Sequence, residues 1–589
     1  MVGSLRRLAC VSAMLAVAAP ACYATDNGTA PPPDKLYFPV GMAVSRGGSV
    51  LYVANSDFDL QYTGGTIQSY DLRLIRRHAL LAIEDPADPN LPLAFPLAPG
   101  AARGGCPGNP PGTRPGTGTR QPLGETCSPP VDSTRYVRRA VTIGAFASDL
   151  QLLRSERTPL SSLERFAPEQ QGAATGTRLF APVRGDASLT WIDIKPDDPL
   201  IAPPEDPAAP YEPFELSCGA TALGGRCGER NRAGRVTDPG NKRRLSMPGE
   251  PFGMAFSQDG TQVVVTHQTE GKASLFSTGF DALGGRVGDP SLQFVLTGIS
   301  VGGNGVATIP HDRALACVPG ESCASEPPRP AFLETSRAVP GVDLLRFFSD
   351  EGAVPASNLR PFLVREGTIP IATNNGGNDS RGIAIDRTPR LRCKARLRAN
   401  PPASPVELAT RMEACAKLPA RLFIANRSPS TLLIGEIGAD DKGTYNPDRV
   451  TLFRNEPLTF GPSRVFLAPI VDADGRYALR VFVVCFDSAQ LFVYDPDAER
   501  MEAVVRVGSG PFSMAFDPFD WEDVAAGKRV EPDPREPGRG LLRYRFGYLA
   551  SFTTSFIQVL DLDNSRARKD TFEKVVFTLG VPTLPKGTQ

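Results

Sequence analysis

Histidine is the residue this chain comes closest to lacking: His78, His267 and His311 are the only three in 589 residues, far apart in sequence. Multi-histidine metal or haem chemistry is therefore not expected, and no metal ligands and no cofactor are assigned. Methionine is scarce too, at 8. Net charge is absent, because 64 Lys and Arg balance 64 Asp and Glu, so nothing global points to nucleic acid or an anionic membrane surface. Missing as well are a GxSxG elbow, a P-loop, a dinucleotide fingerprint and an HExxH pattern, so no catalytic residue is assigned. Beyond the N-terminal segment, no stretch is apolar enough to span a bilayer.

What is abundant is punctuation. The chain holds 57 Gly and 58 Pro, a load that implies many turns and favours all-β over helical architecture.

The first 21 residues read as an export signal, outside the fold. Arg6 and Arg7 supply the basic start, and Leu8 to Ala19 an apolar run too short to cross a membrane. Ala19-Pro20-Ala21 then precedes Cys22, which resembles a bacterial lipobox, with alanine where that motif prefers leucine. Cys22 is the expected lipid anchor, with ordinary cleavage after Ala21 as the alternative. Residues 22–35 form a proline-rich tether, 36–580 a single folded domain and 581–589 a tail. The expected address is a bacterial outer-membrane lipoprotein, in the periplasm or on the cell surface.

The folded part is organised around Pro39 to Leu72, which reads strand, tight turn, strand, looser turn, strand. Gly47-Gly48 makes the first hairpin, since glycine adopts positive φ at no steric cost. Such a ribbon cannot bury both faces alone. The chain supplies partners by repetition: seven segments align with it, Glu250 to Thr278 most clearly, and each is followed by another short β-rich run. Four antiparallel strands, here a to d, repeated seven times predict a seven-bladed β-propeller.

VGMAVS with LYVAN (Leu51–Asn55), and FGMAFSQDG with VVVTH, resemble the YVTN family of bacterial propellers, whose blades read PxGMAFSPDGxxLYVAN before a TVSVID-like strand. That resemblance implies the propeller fold for nearly all of 36–580 and implies little about activity. Because strand direction alternates, a–b and c–d loops emerge on one face, b–c and d–a loops on the other. The long insertions (73–135, 151–177, 196–242, 310–330, 388–419 and 518–540) all fall at a–b or c–d. One decorated face and one bare face are expected.

Eight cysteines fall as close pairs inside those insertions: Cys106 and Cys127, Cys218 and Cys227, Cys317 and Cys323, Cys393 and Cys415. Sequential disulfides would each stabilise a loop that lacks a core by ~2–3 kcal/mol. Metal binding is the alternative, disfavoured by spacings without CxxC in an exported chain. Cys485, in VFVVCF, reads as a buried thiol.

Two polar constellations remain. Asn55-x-Asp57-x-Asp59 resembles the start of a calcium loop, but lacks the glycine and closing glutamate, and turn capping is the simpler reading. Arg381 and Arg464 align at the entry to strand a of blades five and six, and Arg427 opens onto the same bare face. Together they are a candidate site for a carboxylate, phosphate or acidic partner; local pairing, for instance with Asp379 or Asp386, is the alternative. The expected function is a monomeric, non-enzymatic binding or scaffold module for a protein or surface glycan. The alternative is a propeller enzyme of lactonase or quinoprotein-dehydrogenase type, for which His267 is the best single residue.

Overall fold

The computed structural model describes residues 28–83, 131–154, 177–195, 197, 213–281, 285–310, 330–349, 361–371, 377–440, 445–531, 544–566 and 571–580. Cys22, expected to be the lipid anchor, the pairs Cys106/Cys127 and Cys317/Cys323, and His311 lie outside the described residues.

Seven antiparallel sheets, each in sequential strand order, form the ring. Blade one is Pro39–Val44, Val50–Asn55, Thr66–Asp71 and Val137–Thr142. The other blades open with strands a at Gln151–Arg154, Pro251–Phe256, Gly303–Ile309, Asn378–Asp386, Pro462–Val471 and Pro511–Phe516. Strand d of blade seven is Val575–Leu579, where KVVFTLG places it. The first hairpin turns at Gly48, whose φ is +70°.

Alternation along each strand decides which neighbour a side chain meets. In blade one, Leu51 and Val53 pack with Tyr548, Ala550 and Val559 of blade seven. Tyr52 and Ala54, one residue out of phase, pack with Leu179, Ala181 and Ile192 of blade two. Every blade is thus buried on both faces, each large apolar side chain contributing ~1.5–3 kcal/mol. This is why the opening ribbon needs a ring.

Among the described residues closure involves no exchanged strand, since the four strands of blade one are all N-terminal and those of blade seven all C-terminal. A short latch does the work: Val131 bridges Leu579 in parallel, its N–H donating to the Thr578 carbonyl at 3.0 Å and its carbonyl accepting from Gly580 at 2.7 Å. On the other side of the seam, the Phe38 N–H donates to Ser555 Oγ at 3.1 Å.

The decorated face carries helices. Helix Leu72–Ile83 continues strand c of blade one and docks on blade seven through buried Arg76, whose Nε is 2.9 Å from Asp517. Asp517 also accepts from Tyr548 Oη at 2.8 Å and from the N–H groups of Arg545 and Phe546. Helices Thr388–Ala399 and Pro405–Ala416 fill the blade-five insertion and are joined by the Cys393–Cys415 disulfide. The first of them packs on helix Trp521–Ala526 of blade seven, with Arg398 3.6 Å from Glu522.

One insertion departs from the expected layout. Strand d of blade two is split into Leu216–Ser217, paired with the end of strand c, and Arg232–Ala233, paired with its start. The segment between them, closed by Cys218–Cys227, does not stand on the decorated face. It lies along the outer edge of blade one, where Gly224 N–H donates to the Ala140 carbonyl and Cys227 N–H to that of Thr142. Arg226 reaches the Thr63 carbonyl at 2.9 Å, in a b–c loop. Backbone groups otherwise left bare at the edge of blade one, the Ala140 and Thr142 carbonyls and the Thr142 N–H, explain this placement. Both sulfurs are buried with the core between blades one and two. Replacing Cys218 and Cys227 with serine should lower stability by ~2–3 kcal/mol, read from urea midpoints. An unchanged midpoint would show that the edge pairing holds without the bridge.

Candidate functional site at the bare channel mouth

Strand a lines the axis, and six of the seven strands a carry an irregularity next to the residue that faces the end of strand b. In blade one Pro39 pairs with Asn55 and Gly41 with Ala54, leaving Val40 unpaired. In blade six Pro462 pairs with Cys485 and Arg464 with Val484, leaving Ser463 unpaired. Arg464 therefore corresponds to Gly41, not to Val40. In blade five Ser380 pairs with Asn426 and Ile383 with Ile424, which makes Arg381 the equivalent of Val40 and Gly382 that of Gly41. The expectation that Arg381 and Arg464 share one position is thus corrected. A one-residue bulge is invisible in an alternating pattern and shifts the alignment by one.

The corrected register explains the repeat's glycine. Around the ring this position holds Gly41, Asp149, Gly253, Gly305, Gly382, Arg464 and Ser513. An added Cβ would lie 2.2 Å from Leu150 N at Gly41, 2.1 Å from the Asn304 oxygen at Gly253 and 2.2 Å from the Arg381 oxygen at Gly305. Adjacent strands a approach so closely there that the motif position is a packing requirement.

The two charged members of that ring face each other. Arg464 of blade six reaches across the axis to blade two, donating to the Ser148 carbonyl at 3.1 Å, with its Nη1 3.7 Å from Asp149. Its guanidinium lies 4.9 Å from the Phe512 ring centre and 5.2 Å from that of Phe252. The side chains of Arg464 and Asp149 are 13% and 10% exposed, so this pair bolts two distant blades together and blocks the channel. Arg464 is accordingly not part of one cluster with Arg381 and Arg427.

Those two remain together on the bare face. Arg381 donates to both oxygens of Asp379, at 2.8 and 3.0 Å, and Arg427 pairs with Asp487. Arg337, in the b–c turn of blade four, joins them 3.5 Å from Asp379. Burial, followed by the fields of Arg381 and Arg427, lowers its guanidinium pKa. Three guanidiniums thus share two carboxylates. Arg337 escaped the sequence reading because its blade is degenerate. The signal was nonetheless present: Arg337 follows Ser336 as Arg427 follows Asn426, and both of those residues pair with the strand-a residue that precedes the bulge.

Aromatic rings form the rest of the mouth. Phe552 contacts Phe38, Phe58, Phe486 and Phe512 at centroid distances of 5.1, 5.2, 6.1 and 6.0 Å. Phe146 extends the chain through Phe58 at 5.9 Å. Phe486, Phe512 and Phe552 are half-buried, whereas Phe58 is 50% and neighbouring Leu60 61% exposed. Phe486 directly precedes Asp487, so aromatic and arginine arcs join there.

The other nominated residues have structural occupations. Asn55 accepts from Tyr37 N–H at 3.0 Å and donates to Thr66 and Gln68, both at 2.9 Å. Asp57 accepts from Tyr62 N–H at 3.1 Å, and Asp59 from Gln61 N–H at 3.3 Å. These residues cap the turn, and among the described residues no group of three or more His, Cys, Asp or Glu is placed to hold a metal. Burial raises the Asp57 carboxyl to about 7. His267 is fully buried, its Nδ1 2.8 Å from the Gly249 carbonyl and its Nε2 2.8 Å from Ser274 Oγ, which leaves neither nitrogen facing the channel. Cys485 is a buried free thiol, pushed up by burial to about 12. Glu334 stands where blade one has Val53, and burial, then Asp343, holds its carboxyl well above the usual range.

No protein-family model matches the chain, and no curated protein matches it in sequence. Solved structures resemble it in fold. A Pseudomonas aeruginosa periplasmic gluconolactonase is 13% identical over 80% of this chain and 86% of its own, with a TM-score of 0.38. A putative 6-phosphogluconolactonase from Bacteroides uniformis is 11% identical over 80% and 85%, with a TM-score of 0.36. Kuenenia stuttgartiensis hydrazine synthase is 9% identical over 93% and 100%, with a TM-score of 0.38. At such identities the likeness is one of fold alone.

Proposed function

We propose that this protein is a binding module of the cell envelope, exported and tethered by a lipid on Cys22, whose partner sits in the bare-face mouth. One observation carries the reading: three arginines sharing two carboxylates adjoin half-buried and exposed aromatic rings above a channel that Arg464 blocks. Exposed apolar side chains rimmed by charge are what a docking surface presents. A blocked axis gives a partner a floor and no passage through it.

The test is photo-crosslinking in native envelopes. A benzophenone side chain at Leu60, on the bare face, should yield adducts. One at Val406, 76% exposed on the decorated face, should not. Adducts from Val406 alone, or from neither position, would sink the proposal. For the anchor, mass spectrometry of the mature protein should find acylated Cys22; an unmodified N-terminal Cys22 would remove it.

The second reading, an enzyme of lactonase or quinoprotein-dehydrogenase type, draws on Asp57. Its Oδ2 lacks a hydrogen-bond partner, and its carboxyl titrates at about 7, suited to proton transfer near neutrality. Turnover of a sugar lactone that is abolished by Asp57→Asn would favour this reading over the first.

A further inference from the structure

We infer that the bare-face mouth takes an acidic sugar, a pyranose bearing a carboxylate as in a uronic-acid glycan. This rests on the binding reading above and narrows it. Three features of the mouth each select one part of such a ligand.

The first is the aromatic wall. Phe486, Phe512 and Phe552 present half-buried rings within 6.3 Å of one another, forming an apolar surface. The negative face of a π system attracts weakly positive C–H groups, and a pyranose carries a patch of these on its flat side. The second is the state of the rim. Arg381 is held by Asp379 and Arg427 by Asp487, so donors and acceptors stand side by side. A hydroxyl both donates and accepts, and a row of hydroxyls can use both halves of each pair. A phosphate only accepts, so a phosphopeptide could use the guanidiniums alone and would set close to two charges beside Asp379 and Asp487.

The third is the surplus charge. Arg337 shares Asp379 with Arg381, and its side chain is 41% exposed, so one guanidinium is left over to meet a carboxylate. A neutral glycan would leave it unused. Fork geometry suits guanidinium to carboxylate recognition. The floor contributes by exclusion: Arg464 is occupied by Ser148 and Asp149, so the sugar must lie across the mouth and cannot thread the axis.

The experiment is calorimetric titration of the intact mature protein with trigalacturonate, maltotriose and phenyl phosphate as probes, repeated on Arg337→Gln. Trigalacturonate should bind, with maltotriose weaker by about tenfold, the loss of one charge-assisted contact. Arg337→Gln should bring trigalacturonate down to the maltotriose level while leaving thermal unfolding unchanged. Arg337→Lys, which keeps the charge without the fork, should fall between. Equal binding of acidic and neutral sugars would overturn the inference, as would an Arg337→Gln variant that binds trigalacturonate normally. Phenyl phosphate binding without any sugar binding would also overturn it, in favour of an aryl-oxyanion or phosphopeptide mouth. Leu60 crosslinks to a protein, with no sugar binding, would refute the acidic sugar and leave the binding face standing. Crosslinks from Val406 alone would refute both.

Discussion

Replacing Arg464 with alanine is expected to cost the fold about 3–5 kcal/mol, the range for removing one partner of a buried ion pair. The guanidinium has three attachments: Asp149 at 3.7 Å, the Ser148 carbonyl at 3.1 Å, and the faces of Phe252 and Phe512. Alanine deletes all of them and leaves Asp149, with a side chain 10% exposed, to Leu150 N–H at 2.9 Å and Gln151 Nε2 at 3.2 Å. The distinguishing measurement is a double-mutant cycle in urea. Asp149→Gly with Arg464→Gly restores the repeat's glycine in both blades, and should cost less than the sum of the single changes by ~1–3 kcal/mol. Additive losses would mean that the two residues act separately. The pair is also a specificity device in register: a slip of one residue in either strand a would bury one charge without its partner.

Much of the architecture could be read from the repeat, for a physical reason. Each blade must show apolar residues to both neighbours, so strands a and b carry the same pattern seven times, and even degenerate copies such as GNGVATIP at Gly303 take their places. What escaped the reading lies where the pattern carries no information. The bulge in strand a leaves the residue types around it intact and moves Arg464 by one position. Splitting strand d of blade two required a partner, the edge of blade one, that is distant in sequence. For the candidate site, Arg381 and Arg427 were legible because they interrupt a repeat. Asp149 was not, since its blade lacks the glycine motif that would have marked it as a departure. The aromatic mouth was dispersed over turns of blades one, two, six and seven, and only ring closure brings Phe58, Phe146, Phe486 and Phe552 together.

His267 should make this protein lose stability between pH 6.5 and 4 by more than its carboxylates alone would. In the native blade the neutral ring donates from Nδ1 to the Gly249 carbonyl and accepts at Nε2 from Ser274. Burial, against the lesser help of the Gly249 bond and Glu270, lowers its pKa from 6.5 to about 4. A histidine whose folded pKa is depressed stabilises fully above the unfolded value, and that contribution is lost as pH falls. Between 6.5 and 4 the unfolded chain binds a proton that the folded blade refuses, at about 1.4 kcal/mol per pH unit. The full loss is therefore about 3 kcal/mol, levelling off below pH 4 where the folded ring also protonates. Blade one places Asn55 at the same position, its amide bonded to Thr66 and Gln68. His267→Asn should preserve the fold at pH 7, where an amide can replace the ring toward Ser274, and its own pH profile should be flatter than the parent's, by about 3 kcal/mol in all between pH 6.5 and 4. Urea titrations of both proteins from pH 7 to pH 4 measure it. Parallel profiles would mean that the ring takes its proton without leaving the blade, and that the bonds to Gly249 and Ser274 do not hold it neutral.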